Sequence, residues 1–266
     1  MQASGLGKAA YSKIAILFLV PGVLSLLFSI LYESQVAAFV GLGLTFWGAL
    51  FFLIRPVKYV TGNLLHSSAH SSYSTIDRII KDFGYKGTAY YIPPYPKDVY
   101  LPDHLKGLKE PVVFVSEQKQ ASMPSIEEIA ESKFRISDPK GLLMTSPGAG
   151  LLAQIEKEAN RDFAKTTIAD LQEMLPHVIS ENLSLAREVE LKLVANQIQL
   201  RLIDSLYKSL YSRESDLKSI GLLGCPLVSA VACAIAKASG KPVMIQNQKV
   251  SPDGSMIGVW YRVVQE

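Results

Sequence analysis

The sequence is poor in charge, and poorest near its start. Charged residues make up 19% of 266, below the roughly 25% of an ordinary globular domain. Residues 14–32 and 36–54 contain none. Cysteine is scarce too, with Cys225 and Cys233 the only two. They fall in what reads as one helix, about 12 Å apart along its axis at 1.5 Å per residue. A disulfide needs Cα atoms within about 7 Å. The two cannot pair with each other, which excludes a disulfide scaffold and suits a reducing compartment. Net charge is only +3, so the basic stripe of a nucleic-acid binder is missing and no nucleic-acid partner is expected. Catalytic constellations are missing as well. His66, His70, His104 and His177 are the only histidines, and none sits in a known nucleophile–base motif. His66 and His70 lie one helical turn apart without a nearby third ligand and read as surface histidines. The expectation is a protein that is not an enzyme and has neither cofactor nor metal.

What is present starts with hydrophobicity, for mean hydropathy is +0.20. The two uncharged runs are each just long enough to cross a hydrocarbon core of about 30 Å as a helix. Only Glu33, Ser34 and Gln35 separate them. A cleaved signal peptide has a shorter apolar core and no second span directly behind it. The reading is a two-helix transmembrane hairpin. Lys8 and Lys13 precede it and Arg55 and Lys58 follow it, which places both termini in the cytoplasm and the chain in the cell membrane as a two-pass protein. Small residues recur at Ala37, Gly41, Thr45 and Ala49, and at Gly22, Ser25 and Ser29. Such ridges let helix backbones approach in lipid, either inside the hairpin or across a dimer seam. Neither span has an ionisable residue to mark a transport path, so the hairpin reads as an anchor.

The rest reads as α+β. The expected segments are a cytoplasmic tail (1–13), the hairpin (14–54), a juxtamembrane helix with a small α/β segment (55–133) and an α+β domain (134–266). Helical spacing over 57–83 and 126–133 alternates with strand candidates at 88–92, 111–116, 134–137 and 141–144. Pro93, Pro94, Tyr95 and Pro96 form a rigid extended spacer. Ser146-Pro147-Gly148-Ala149-Gly150 opens the next helix. It is either a loose phosphate-binding loop or a Ser146 cap with Pro147 at the first helical position. A helix over 168–181 follows. The period then changes to two: Val189, Leu191 and Leu193 answer Ile198, Leu200 and Leu202 across a turn at Ala195-Asn196, a hairpin. Residues 225–239 form a helix with a single charge, Lys237, closed by Gly240 and Pro242. Residues 243–250 and 256–264 make a second hairpin.

Three stretches carry a family resemblance: EVELKLVANQIQLRLIDSLY, GCPLVSAVACAIAKASGKPV and VSPDGSMIGVWYRV. Together, over about 140–264, they resemble the 4-vinyl reductase type of small-molecule-binding domain, a fold shared with core subunits of the TRAPP tethering complexes. The resemblance implies a ligand pocket or a dimerising surface. Relatives that hold a metal near the last hairpin do so with cysteines. Here Ser255, Met256 and Ile257 stand in that stretch, which lacks the ligands.

From the residues alone, a helix as apolar as 226–238 packed on two hairpins is buried nearly all round. It either fills a core or roofs an apolar cavity. In the second case Cys225, Leu227, Val231, Ala234 and Ile235 line the cavity from one side, and Val189, Leu191, Leu200 and Leu202 from the other. Cys225, at a helix start, is either a reactive thiolate or a capping, buried thiol. The leading expectation is a membrane-anchored small-molecule-binding or sensing module for a small apolar ligand. The alternative is a structural or assembly subunit that forms a homodimer or docks on a larger membrane complex.

Overall fold

The computed structural model describes residues 4–53, 62–85, 87–94, 110–118, 122–131, 133–194, 197–212 and 215–264. The expectations for Arg55, Lys58, Tyr95, Pro96, His104 and the Ala195-Asn196 turn lie outside the described residues. The chain divides into two units, Met1–Val60 and Thr61–Glu266.

The first unit is a hairpin of α1 (Ser4–Tyr32) and α2 (Gln35–Leu53). Helix α1 runs unbroken through Pro21. The small-residue ridges are used inside the hairpin. A Cβ on Gly22 would lie 2.7 Å from Thr45 Cγ2, and one on Gly41 would lie 2.8 Å from the Leu26 backbone nitrogen. Ser25 donates to the Ala37 carbonyl at 2.9 Å. Gly48, against Leu19, joins this seam, whereas Ala49 is exposed. The outward side chains are large and apolar, among them Leu17, Leu24, Ile30, Phe39 and Trp47. By length and composition Ala15–Tyr32 can cross a membrane, and Gln35–Phe51 is a somewhat shorter apolar helix. Lys218–Ser239 passes the same test but is 83% buried, which marks it as interior.

The second unit is one antiparallel sheet with helices. Its strands are β1 (Ala89–Ile92), β2 (Val112–Ser116), β3 (Arg135–Ser137), β4 (Lys140–Thr145), β5 (Glu188–Val194), β6 (Gln197–Ile203), β7 (Val243–Val250) and β8 (Met256–Val263). Their order is β3-β4-β2-β1-β7-β8-β6-β5. The two expected hairpins are therefore fused: Leu200 faces Val259 across β6–β8. Strands β1 and β2, from the 55–133 segment, lie in mid-sheet between β4 and β7.

The helices are α3 (Gly62–Phe83), α4 (Ile126–Ala130), α5 (Ala149–Ala159), α6 (Ile168–His177), α7 (Lys218–Leu223) and α8 (Pro226–Ser239). Helix α6 starts on a reciprocal cap, with Thr167 and Asp170 each accepting from the other's backbone N–H. It continues as a π-helical turn over Val178–Asn182. Helix α8 has Pro226 at its first position and Gly240 left-handed at its end, φ 62°. It rests on α5, α6 and strands β1, β7 and β8. Alternation along the strands gives the sheet two faces. Tyr91, Val113, Leu142, Leu191, Leu200, Leu202, Val259 and Tyr261 join the helices in the main core. On the opposite face Tyr90, Ile92, Phe114, Ile136 and Leu143 pack with Ile129 of α4 in a smaller cluster.

Candidate functional site

Two places compete for function: the surroundings of α8 and the outer edge of the sheet at β5. Around α8 the structure assembles most of the side chains singled out above. Leu191, Leu200, Leu202, Cys225, Leu227, Val231, Ala234 and Ile235 are all buried in one core cluster, and Val189 packs at its margin, partly exposed. All residues from Leu227 to Ala236 are buried. Among the described residues no buried side-chain nitrogen or oxygen lacks a hydrogen-bond partner.

The polar groups around α8 bind one another. Gly148 N–H donates to Ser229 Oγ at 3.0 Å. Ser229 and Ser146 hydroxyls are 2.8 Å apart, and the Cys233 thiol donates to Ser146 at 3.0 Å. Ser146 is thus turned into the core, and Gly148 takes the cap position of α5 without a side-chain cap. This corrects the expectation of a Ser146 cap with Pro147 inside the helix. Nor is the glycine loop open to a phosphate, because a Cβ on Gly148 would lie 2.1 Å from the Ala230 backbone nitrogen. Loop and helix are in backbone contact.

Three buried tyrosines hold the entrance to α8. Tyr73 donates to the Gly224 carbonyl at 2.6 Å, Tyr91 to that of Leu223, and Tyr261 to that of Val228 at 2.9 Å. The Cys225 N–H donates to the Tyr211 hydroxyl at 3.0 Å. Sequence reasoning missed this set, since tyrosines far apart in the chain show no joint pattern before folding. Both thiols are free and buried. Burial pushes the Cys225 thiol up from its ordinary value against hydrogen bonds that favour the thiolate. Cys233 is pushed up to about 12 for the same reason. A protonated, enclosed thiol is no nucleophile at neutral pH.

At the tail of α8, Lys237 contacts Glu156 Oε1 at 2.6 Å and Asp162 Oδ1 at 2.8 Å. Glu156 also accepts from the Phe163 N–H at 2.8 Å. The group ties α8 to α5 and the turn after it.

The sheet edge is open. Among the described residues β5 pairs on one side only, with β6. A groove of about 470 Å³ runs along it, walled by Ala169, Gln172 and Pro176 of α6 and by Val189, Leu191 and Lys192 of β5. A second hollow of about 410 Å³ is lined by Ser180 and Glu181 on one side and Arg187, Glu188 and Arg201 on the other. Residues of β5 from both sheet faces reach these hollows, as an uncovered strand edge requires. Leu193 and Val194, at the end of the strand, are 56% and 53% exposed. Glu190 and Lys192, on the face opposite Leu191, meet at 2.5 Å. Val189 and Leu191 are the two sequence-predicted site residues that line the groove.

No group of three metal-ligating side chains occurs among the described residues. His70 is partly exposed, and the His66 side chain lies outside the described residues.

A family model described as Domain of unknown function (DUF7982) matches residues 2–261, and the chain belongs to that family. No curated protein and no solved structure matches it.

Proposed function

We propose that this chain is a membrane-anchored, non-enzymatic assembly subunit. Its N-terminal hairpin crosses the cell membrane twice, both termini and the globular domain lie in the cytoplasm, and the domain docks through the open edge of its sheet. The observation that carries the reading is the contrast between the two candidate places. The interior around α8 is occupied by its own side chains, whereas β5 has backbone unpaired among the described residues and exposed Leu193 and Val194. Exposed apolar edge strands invite pairing, and proteins cover them unless the edge is used. The apolar outward face of α1 and α2 supports the anchor, because such a surface is costly in water and matched in lipid. The family resemblance noted in the sequence supports a binding role over a catalytic one.

A small-molecule-binding or sensing role is the second reading. What favours it is the groove between α6 and β5, where Val189 and Leu191 give an apolar floor. Native mass spectrometry of the detergent-extracted full chain separates the two. A stable assembly without small-molecule mass supports docking, and a monomer carrying a bound apolar compound overturns it.

A further inference from the structure

We propose that the partner of the β5 edge is the β5 edge of a second copy, paired antiparallel about a two-fold axis at Leu191. The inference deepens the assembly reading above and rests on it. The argument is self-complementarity. In an antiparallel pair of identical strands, residues facing one another must lie on the same sheet face, so only registers centred on a residue are allowed. Centred on Leu191, Glu190 faces the second copy's Lys192 and Lys192 faces its Glu190, giving two opposite-charge pairs on one face. On the other face Val189 lies against the second copy's Leu193, and Leu193 against its Val189, which covers the exposed Leu193. All seven residues of β5, Glu188–Val194, find partners. Shifting the axis to Glu190 sets Glu190 against itself, and shifting it to Lys192 sets Lys192 against itself. Like charges directly opposite are destabilising. Of the three registers that pair at least five residues of the strand, its sequence thus selects one.

The groove between α6 and β5 leaves room for the incoming strand, and the product is a continuous sheet of two copies. A two-fold contact of this kind closes on itself, so no free β5 edge remains to recruit further copies. Two copies held in one membrane meet at raised effective concentration, which favours a contact of modest area.

The test is disulfide trapping in the full-length chain in native membranes, with Glu188→Cys and Val194→Cys combined. In the Leu191 register each introduced thiol faces the other position of the second copy. Within one strand the two are about 20 Å apart at 3.3 Å per residue and cannot join. The native cysteines are buried and give no background. We expect a covalent dimer on mild oxidation. Glu190→Lys added to this pair removes most of the dimer by creating two Lys–Lys contacts, and Glu190→Lys with Lys192→Glu restores it. Both side chains are about half exposed, so thermal melting stays near that of the parent. No covalent dimer, or one indifferent to Glu190→Lys, overturns the proposal. A larger assembly with a different chain in native mass spectrometry, without the covalent dimer, overturns self-pairing and leaves the assembly reading standing. Loss of the chain from the membrane fraction overturns the anchor alone.

Discussion

The contact between Gly148 and Ala230 is the tightest constraint at the scale of single residues. Helix α8 is rich in alanine where α5 begins, and glycine lets the loop backbone reach it. Gly148→Ala is therefore expected to destabilise the domain by about 1–3 kcal/mol through overpacking, read as a lower melting temperature. Ser229→Ala removes the nearer of two acceptors of the buried Gly148 N–H, leaving Ser146 Oγ at 3.3 Å, and is expected to cost about 1 kcal/mol. The thiols give a complementary test. Neither Cys225 nor Cys233 should react with a thiol reagent in the native chain, and both should react after denaturation. Rapid native labelling of Cys225 would restore it as a candidate nucleophile. Burial of both cysteines was legible in the sequence, because a helix with one charge has few exposed positions. The role of Ser146 was not, since the same Ser-Pro-Gly string serves as a cap or as a packing contact, and the difference is set by Ser229, far away in the chain.

At the scale of elements, the link between α8 and α5 is electrostatic. Burial opposes the charge on Lys237, but the hydrogen bonds it donates to Asp162 and Glu156 outweigh it and raise its pKa above the ordinary 10.5. The Lys237 hydrogen bond holds the Asp162 carboxyl below its ordinary 3.8. The signs fix the pH window. The depressed Asp162 stabilises the fold above its unfolded value and ceases to do so as pH falls through its folded value. The raised Lys237 stabilises it below 10.5 and ceases to do so as pH climbs through its own folded value. Lys237→Met is expected to cost about 1–2 kcal/mol at neutral pH and to flatten the acid side of the stability profile in urea titrations. An unchanged profile would remove the triad from the account. Strands β6 and β8 were legible because one face of each is buried, which imposes the period of two, and β5 follows the same alternation with Leu191 buried. Which of them forms the edge was not, because strand order depends on long-range pairing that leaves no local pattern. The open edge could not be singled out from the sequence for the same reason.

For the molecule as a whole, the division at Val60 carries the main prediction. The full chain is expected to stay with membranes through alkaline carbonate, and a chain starting at residue 61 is expected to be released in folded form. Recovery of the full chain in the carbonate supernatant would remove the anchor. The pair of apolar helices was the most legible part of the sequence, because absence of charge over two long runs needs no tertiary information. The joining of 55–133 to 134–266 in one sheet was the least legible, since it depends on β2 meeting β4 and β1 meeting β7.

That meeting sets a timetable. β7 and β8 leave the ribosome after the other strands of this sheet, yet β7 is the neighbour that completes β1. Until β7 emerges, β1 waits with a bare flank while the N-terminal helices have long been made. Such long-range closure is slow and exposes sticky intermediates. A premature stop between residues 203 and 243 would leave a half-built sheet as a substrate for chaperones and proteases.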